Sequence, residues 1–172
     1  MAIDAFVKPF LRLALFQGLK PLELTEIVRR ADRIVYKAGD VIIQEDTPGD
    51  AAVIIISGEA IRLNGSDDGT PAEPVPEGAI VGELAMLVET VHSTTVVAKG
   101  TVRALRITRD NLHELMSEDP QLAEHFADKI TARLQRLATE LRTIDQALAD
   151  IAHFEARPRA TSHQDMAAAA LH

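Results

Sequence analysis

Between Arg33 and Thr108 the chain breaks into eight short runs of mostly β-branched and aliphatic residues, separated by Gly, Pro, Asn or Asp. No other feature narrows the fold as much. The runs are 33–36, 41–43, 51–57, 59–63, 72–75, 79–81, 93–98 and 102–108. Strands this short and this regularly spaced suggest an antiparallel sandwich or roll. Asn64-Gly65 opens a polar stretch through Asp67-Asp68-Gly69, which reads as a hairpin tip.

Helical spacing brackets this region. Phe6, Val7, Phe10, Leu11 and Leu15 recur on one helical face, with Asp4 as the expected cap and Pro9 expected in or near the first turn. A second helix is expected from Pro21, with Leu24, Ile27, Val28 and Ala31 on one face. After the strands, Thr108 or Asp110 can cap a short helix through Met116, and Pro120 starts a long one. Residues 1–32 therefore read as N-terminal helices, 33–109 as the β region and 110–153 as C-terminal helices. Residues 154–172 have no apolar period and read as a disordered tail.

The long helix carries a narrow stripe. Ile130, Leu134, Leu137, Leu141, Ile144, Leu148 and Ile151 follow one another in steps of 4, 3, 4, 3, 4 and 3. That is the spacing of a two-position coiled-coil seam, narrower than the apolar face of a helix packed on its own domain. A homodimer through this helix is the expectation. Glu140 and Asp145 flank the seam, so apolar burial rather than salt bridges would hold a parallel pair.

Composition removes several function classes. A net charge of −8 argues against nucleic-acid binding, which needs a basic surface. No apolar run approaches the roughly 18 residues of a membrane span, and the N-terminus lacks signal-peptide character, so no membrane association and a cytoplasmic location are expected. Cysteine is absent, which removes disulfides, thiolate metal sites and cysteine nucleophiles. The histidines at 92, 113, 125, 153, 163 and 172 form no helix-borne metal pair. Asn64-x-Ser66-x-Asp68-Gly69 starts like a calcium loop, but Val75 stands where the bidentate Glu belongs. No P-loop, nucleophile elbow or dinucleotide fingerprint is present, so neither an enzyme nor a cofactor is expected.

The chemistry concentrates in residues 78–96. Gly78-Ala79-Ile80-Val81 reads as a strand, Gly82-Glu83-Leu84-Ala85-Met86-Leu87 as a glycine and one helical turn, and Val91-His92-Ser93-Thr94-Thr95-Val96 as a loop into the next strand. A helix start presents unpaired N–H groups and partial positive charge, which suit a phosphate. Gly82 lets backbone approach a ligand, and Glu83 can accept hydrogen bonds from ribose hydroxyls. Ser93 and Thr94 can donate hydroxyl hydrogen bonds to an anionic oxygen.

This segment resembles the phosphate-binding cassette of the cyclic nucleotide-binding domain family. Gly82, Glu83, Leu84, Ala85 and Ser93 fall on the family's positions, and His92 stands where the family carries its phosphate-binding arginine. Gly39-Asp40-Val41-Ile42, Gly49-Asp50, Val53-Ile54-Ile55-Ile56 with Ser57-Gly58-Glu59, and Leu15-Phe16-Gln17-Gly18-Leu19 also resemble family motifs in family order. Asp46 departs from it, standing where many members have a turn glycine. The likeness covers about residues 6 to 150. It implies a mainly β fold with flanking helices: an eight-stranded antiparallel β-roll, jelly-roll-like, with N-terminal helices and a long C-terminal helix.

The resemblance also implies a function. The expectation is a dimeric regulatory sensor module that binds cAMP or cGMP and acts on an output protein not named by the sequence. The ligand-binding candidates are Gly82, Glu83, Leu84, Ala85, His92, Ser93 and Thr94. Arginine offers a planar, always charged fork to a phosphate, whereas a histidine is shorter and ordinarily titrates near pH 6.5. Losing a charged hydrogen-bond partner costs roughly 1.5–3 kcal/mol, so weak or pH-dependent binding is expected. The alternative is a ligand-independent dimerisation scaffold with a degenerate pocket. On the long helix, Arg133, Arg136, Thr139, Arg142 and Thr143 are the polar candidates for a lid over the base. No helix-turn-helix pattern follows Phe154 in this sequence.

Overall fold

The computed structural model describes residues 2–63 and 72–155. The expected hairpin tip, the calcium-like run and the tail beyond Glu155 lie outside the described residues; residues 154 and 155, expected to open the disordered tail, are helical. The chain divides into two compact units, Met1–Lys129 and Ile130–His172.

In the first unit, α1 (Ala2–Arg12) and α2 (Pro21–Arg30) precede the strands. Helix α1 starts earlier than Asp4 and carries Pro9 in its interior rather than its first turn. Packing accounts for this tolerance of an internal proline: Phe10 is fully buried and meets Phe16 edge-on at 4.9 Å, and Phe16 meets Phe126 at 6.0 Å. Helix α2 begins at Pro21, and Glu23 reaches back to accept the N–H of Lys20 at 2.6 Å.

Ten strands follow among the described residues: β1 (Asp32–Tyr36), β2 (Val41–Ile43), β3 (Pro48–Gly49), β4 (Ala51–Ser57), β5 (Ala60–Leu63), β6 (Glu73–Val75), β7 (Ile80–Val81), β8 (Thr90–Val91), β9 (Thr95–Ala98) and β10 (Val102–Thr108). All eight expected strands are present, within two residues at each end. The ninth and tenth, β3 and β8, are a two-residue pair that no run of β-formers announces. The strand expected at 93–98 begins only at Thr95, because Ser93 and Thr94 form a bend.

The strands form two four-stranded sheets in the orders β1-β10-β4-β7 and β2-β9-β5-β6, every pairing antiparallel. Their facing side chains make an aliphatic core from Val53 and Ile55 of β4, Val96 and Ala98 of β9, and Val102 and Ala104 of β10. This is the β-roll the sequence implied. With few aromatics available, the sheets are filled by β-branched and small residues, and Phe10, Phe16 and Phe126 are buried among the helical parts instead.

Helix α3 (Arg109–Glu118) is capped by Thr108, whose hydroxyl accepts the Asn111 N–H at 3.2 Å. Helix α4 (Pro120–Glu155) starts at Pro120, with Asp119 accepting from the N–H groups of Gln121 and Leu122 at 3.0 and 3.3 Å. Its first turns, through Leu122 and Phe126, belong to the first unit. From Ile130 onward it forms the second unit. There Leu134, Leu137, Leu141, Ile144, Leu148 and Ile151 are between 44% and 62% exposed in the single chain, and Ile130 is half-buried. None of the described helices is long and apolar enough to cross a membrane.

Candidate functional site

The site is built where β7 ends. Val81 pairs with Val53 and Ile80 with Ile54, so the central strand β4 fixes the backbone that enters Gly82. Gly82 then turns the chain with φ 66° and ψ 29°, the left-handed region that costs a side chain and suits glycine. A 3-10 turn follows at Glu83–Met86. The Ala85 N–H donates to Gly82 O at 2.9 Å, and the N–H groups of Leu87 and Val88 both donate to Leu84 O at 2.9 Å. Ala85 and Met86 are fully buried, so the turn is anchored by its inner face, while Glu83 and Leu84 are half-buried.

The opposite wall comes from β3 and β8. Pro48 pairs with Val91 and Gly49 with Thr90. Just beyond the pair, the His92 N–H donates to Thr47 O at 3.0 Å and the Asp46 N–H donates to His92 O at 2.9 Å. Asp46 itself takes φ 59°, a left-handed conformation that aspartate tolerates better than most side chains. The residue that replaces the expected turn glycine thus adopts a glycine-like backbone. The next corner is also tied down, since Arg106 meets the Asp50 carboxylate at 2.6 Å and the Arg109 N–H donates to Asp50 O at 2.7 Å.

These walls put the imidazole of His92 against two glycines. A Cβ added at Gly49 would stand 2.8 Å from His92 Cε1, 2.9 Å from Nε2 and 2.6 Å from the Ala85 Cβ. A Cβ added at Gly82 would stand 3.0 Å from His92 Cε1 and 3.1 Å from Ala51 O. The ring therefore lies in a notch that only two missing side chains leave open. Acids in the segments that build these walls are Glu45, Asp46, Asp50, Glu83 and Glu89.

Of the sequence-derived site residues, the structure brings Gly82, Ala85 and His92 together, with Glu83 and Leu84 in the turn between them. Ser93 is exposed and Thr94 half-buried, both in the bend that leads to β9. Gly49 belongs to the site as well. Sequence reasoning had it only as part of a Gly-Asp motif, and that motif was the available signal. Among the lid candidates, the hydroxyls of Thr139 and Thr143 donate to the helix carbonyls of Gln135 and Thr139 at 2.9 and 3.0 Å.

Chemically, the arrangement offers an accessible backbone at Gly82, the opening N–H groups of a short turn, one imidazole and two hydroxyls. Those groups suit an anion of phosphate size. A concavity of about 370 Å³ is lined by Asp32, Asp50, Thr108, Arg109, Asp110 and Asn111, with Asp32 and Asp50 both paired to Arg106. No cluster of three metal-ligating side chains occurs among the described residues.

Comparison with known proteins places the fold in a family. The profile of the cyclic nucleotide-binding domain matches residues 33–119, just over half of the 172. A cAMP-dependent protein kinase regulatory subunit from Aspergillus fumigatus is 38% identical over 113 residues, which is 66% of this chain and 26% of that protein. The chain thus spans about a quarter of the length of that relative. The N-terminal domain of a transcriptional regulator from Streptomyces coelicolor superposes with a TM-score of 0.70 at 21% identity, covering 77% of this chain and 94% of the other. The catabolite activator protein of Thermus thermophilus superposes with a TM-score of 0.60 at 25% identity, covering 76% of this chain and 62% of the other.

Proposed function

This chain belongs to the cyclic nucleotide-binding domain family, and we propose that it is a regulatory module whose 78–96 cassette takes up cAMP or cGMP. The observation that carries the reading is the glycine notch. Gly82 opens the turn in a left-handed conformation, and the space that it and Gly49 leave free of side chains holds the His92 ring against the turn. The phosphate would meet the first N–H groups of the turn, with Ser93 and Thr94 as hydroxyl donors. Glu83 would accept from the ribose hydroxyls. Leu84 and Ala85 set the turn's shape, Ala85 by its complete burial.

His92 decides the strength of binding. It occupies the notch where an arginine would supply a permanent charge, so binding is weak and strengthens as the ring becomes protonated. The sign follows from charge: a cationic imidazole attracts the phosphate and a neutral one does not, so affinity rises as pH falls. The module works as a homodimer, its seam the stripe from Ile130 to Ile151 on α4, exposed from Leu134 onward. A ligand shifts such a module only by its difference in affinity for two conformations, and the output is a separate partner protein. The role is regulatory rather than catalytic. Titration of the protein with cAMP and cGMP at two pH values tests the reading.

A further inference from the structure

The closing end of the cassette turn is held from α3. His113 places Nε2 3.0 Å from the main-chain oxygen of Leu87. Leu87 ends the 3-10 turn, with its own N–H donating to Leu84 O. Carbonyls at the end of a turn have no donor within it and need one from outside. Leu87 is 5% exposed, so water is a poor substitute for that donor.

A carbonyl only accepts, so the contact requires a hydrogen on Nε2. The neutral Nε2–H tautomer carries one. Helix α3 is itself fixed. Leu112 and Leu115 are buried, the Asn111 side-chain amide donates to Arg30 O at 2.9 Å, and Arg30 pairs with Glu114 and Glu118 at 3.3 and 2.7 Å. His113 therefore connects a helix anchored on α2 to Leu87, the residue that caps the cassette turn.

We propose that His113 is a positioning residue for the cassette. By holding Leu87 O it fixes the far end of a turn only four residues long, and so fixes the orientation of the N–H groups at Gly82–Leu84 that face the ligand. Its functional half rests on the cyclic nucleotide reading above; its structural half concerns the protein without ligand.

The test uses the full chain with His113→Leu, which cannot donate, and His113→Gln, which can. In amide hydrogen exchange without nucleotide, His113→Leu should speed exchange about tenfold at Ala85, Leu87 and Val88, the three amides that close the turn. The Ile55 amide, bonded to Ala79 O in the sheet, should keep its wild-type rate, and His113→Gln should restore the cassette. In cAMP titrations His113→Leu should bind about tenfold more weakly than wild type, with His113→Gln near wild type. Unchanged exchange at the three cassette amides in His113→Leu overturns the proposal. So does exchange raised equally at Ile55, which would make His113 a general stability residue. A wild type that takes up no cAMP contradicts the nucleotide reading instead, while faster exchange confined to the cassette still supports the positioning role.

Discussion

Gly49 and His92, far apart in sequence, stand side by side in the β3–β8 wall of the site: a methyl group on Gly49 would stand 2.8 Å from His92 Cε1. The same methyl would stand 2.6 Å from the Ala85 Cβ, so Gly49 is the position where both walls of the site meet. No positive φ is involved at Gly49, and the constraint is one of space alone.

Substitution there should therefore be costly and repairable. Gly49→Ala is expected to destabilise by about 1–3 kcal/mol, the usual penalty for overpacking. Removing the opposing methyl in Gly49→Ala/Ala85→Gly should recover part of it, giving a coupling energy of about 0.5–3 kcal/mol in urea unfolding. Strict additivity would mean that the two residues do not touch.

The cap of α3 should be worth a measurable amount. Thr108→Ala removes the hydroxyl that accepts the Asn111 N–H and is expected to cost about 1 kcal/mol, with Thr108→Ser close to neutral. Equal losses in the two variants would assign the effect to packing rather than capping.

Tyr36 is the only tyrosine and tryptophan is absent, so alkaline absorbance reports one group. Burial raises its pKa above the ordinary 10.0; nearby Arg106 opposes the shift and Asp40 adds to it. The folded state thus holds the phenolic proton to higher pH than the unfolded chain does. Stability is unaffected below about pH 10 and falls as pH rises from there through the folded pKa. Tyrosinate absorbance should develop above pH 10.0 in the folded protein, and Tyr36→Phe should flatten that part of the pH–stability curve. A midpoint at or below the ordinary value would contradict the burial.

The seam on α4 gives a prediction about assembly. Leu141→Lys with Leu148→Lys places charge in the middle of the exposed stripe and should convert a dimer to monomers in sedimentation equilibrium. The β-roll should keep its cooperative unfolding transition, since neither residue belongs to its unit. A monomeric wild type would remove the dimer from the account.

The sequence was most legible where local chemistry and tertiary role coincide. The run Ala51–Ser57 is rich in β-branched residues and is also the buried central strand, so propensity and burial pointed the same way. Gly82 was legible because a glycine before a short polar-apolar turn has few other uses. By contrast, β3 consists of a proline and a glycine, poor strand formers, and exists because Thr90 and Val91 pair with it. The start of α1 was misplaced because Asp4 and Pro9 are local signals, whereas burial of Phe10 against Phe16 is not. The roles of Gly49 and His113 depend on distant partners, His92 and Leu87, and could not be read from either segment alone.

The central claim is that His92 sets nucleotide affinity from within the glycine notch. It is tested most directly by calorimetric titration of cAMP and cGMP at about pH 6 and about pH 7.5, on wild type and His92→Arg. The wild type should bind, and more tightly at the lower pH. His92→Arg should bind about tenfold more tightly or better and lose the pH dependence. A wild-type affinity that is flat across this range would take His92 out of the phosphate contact, and no binding by either protein would leave the ligand-independent scaffold as the reading.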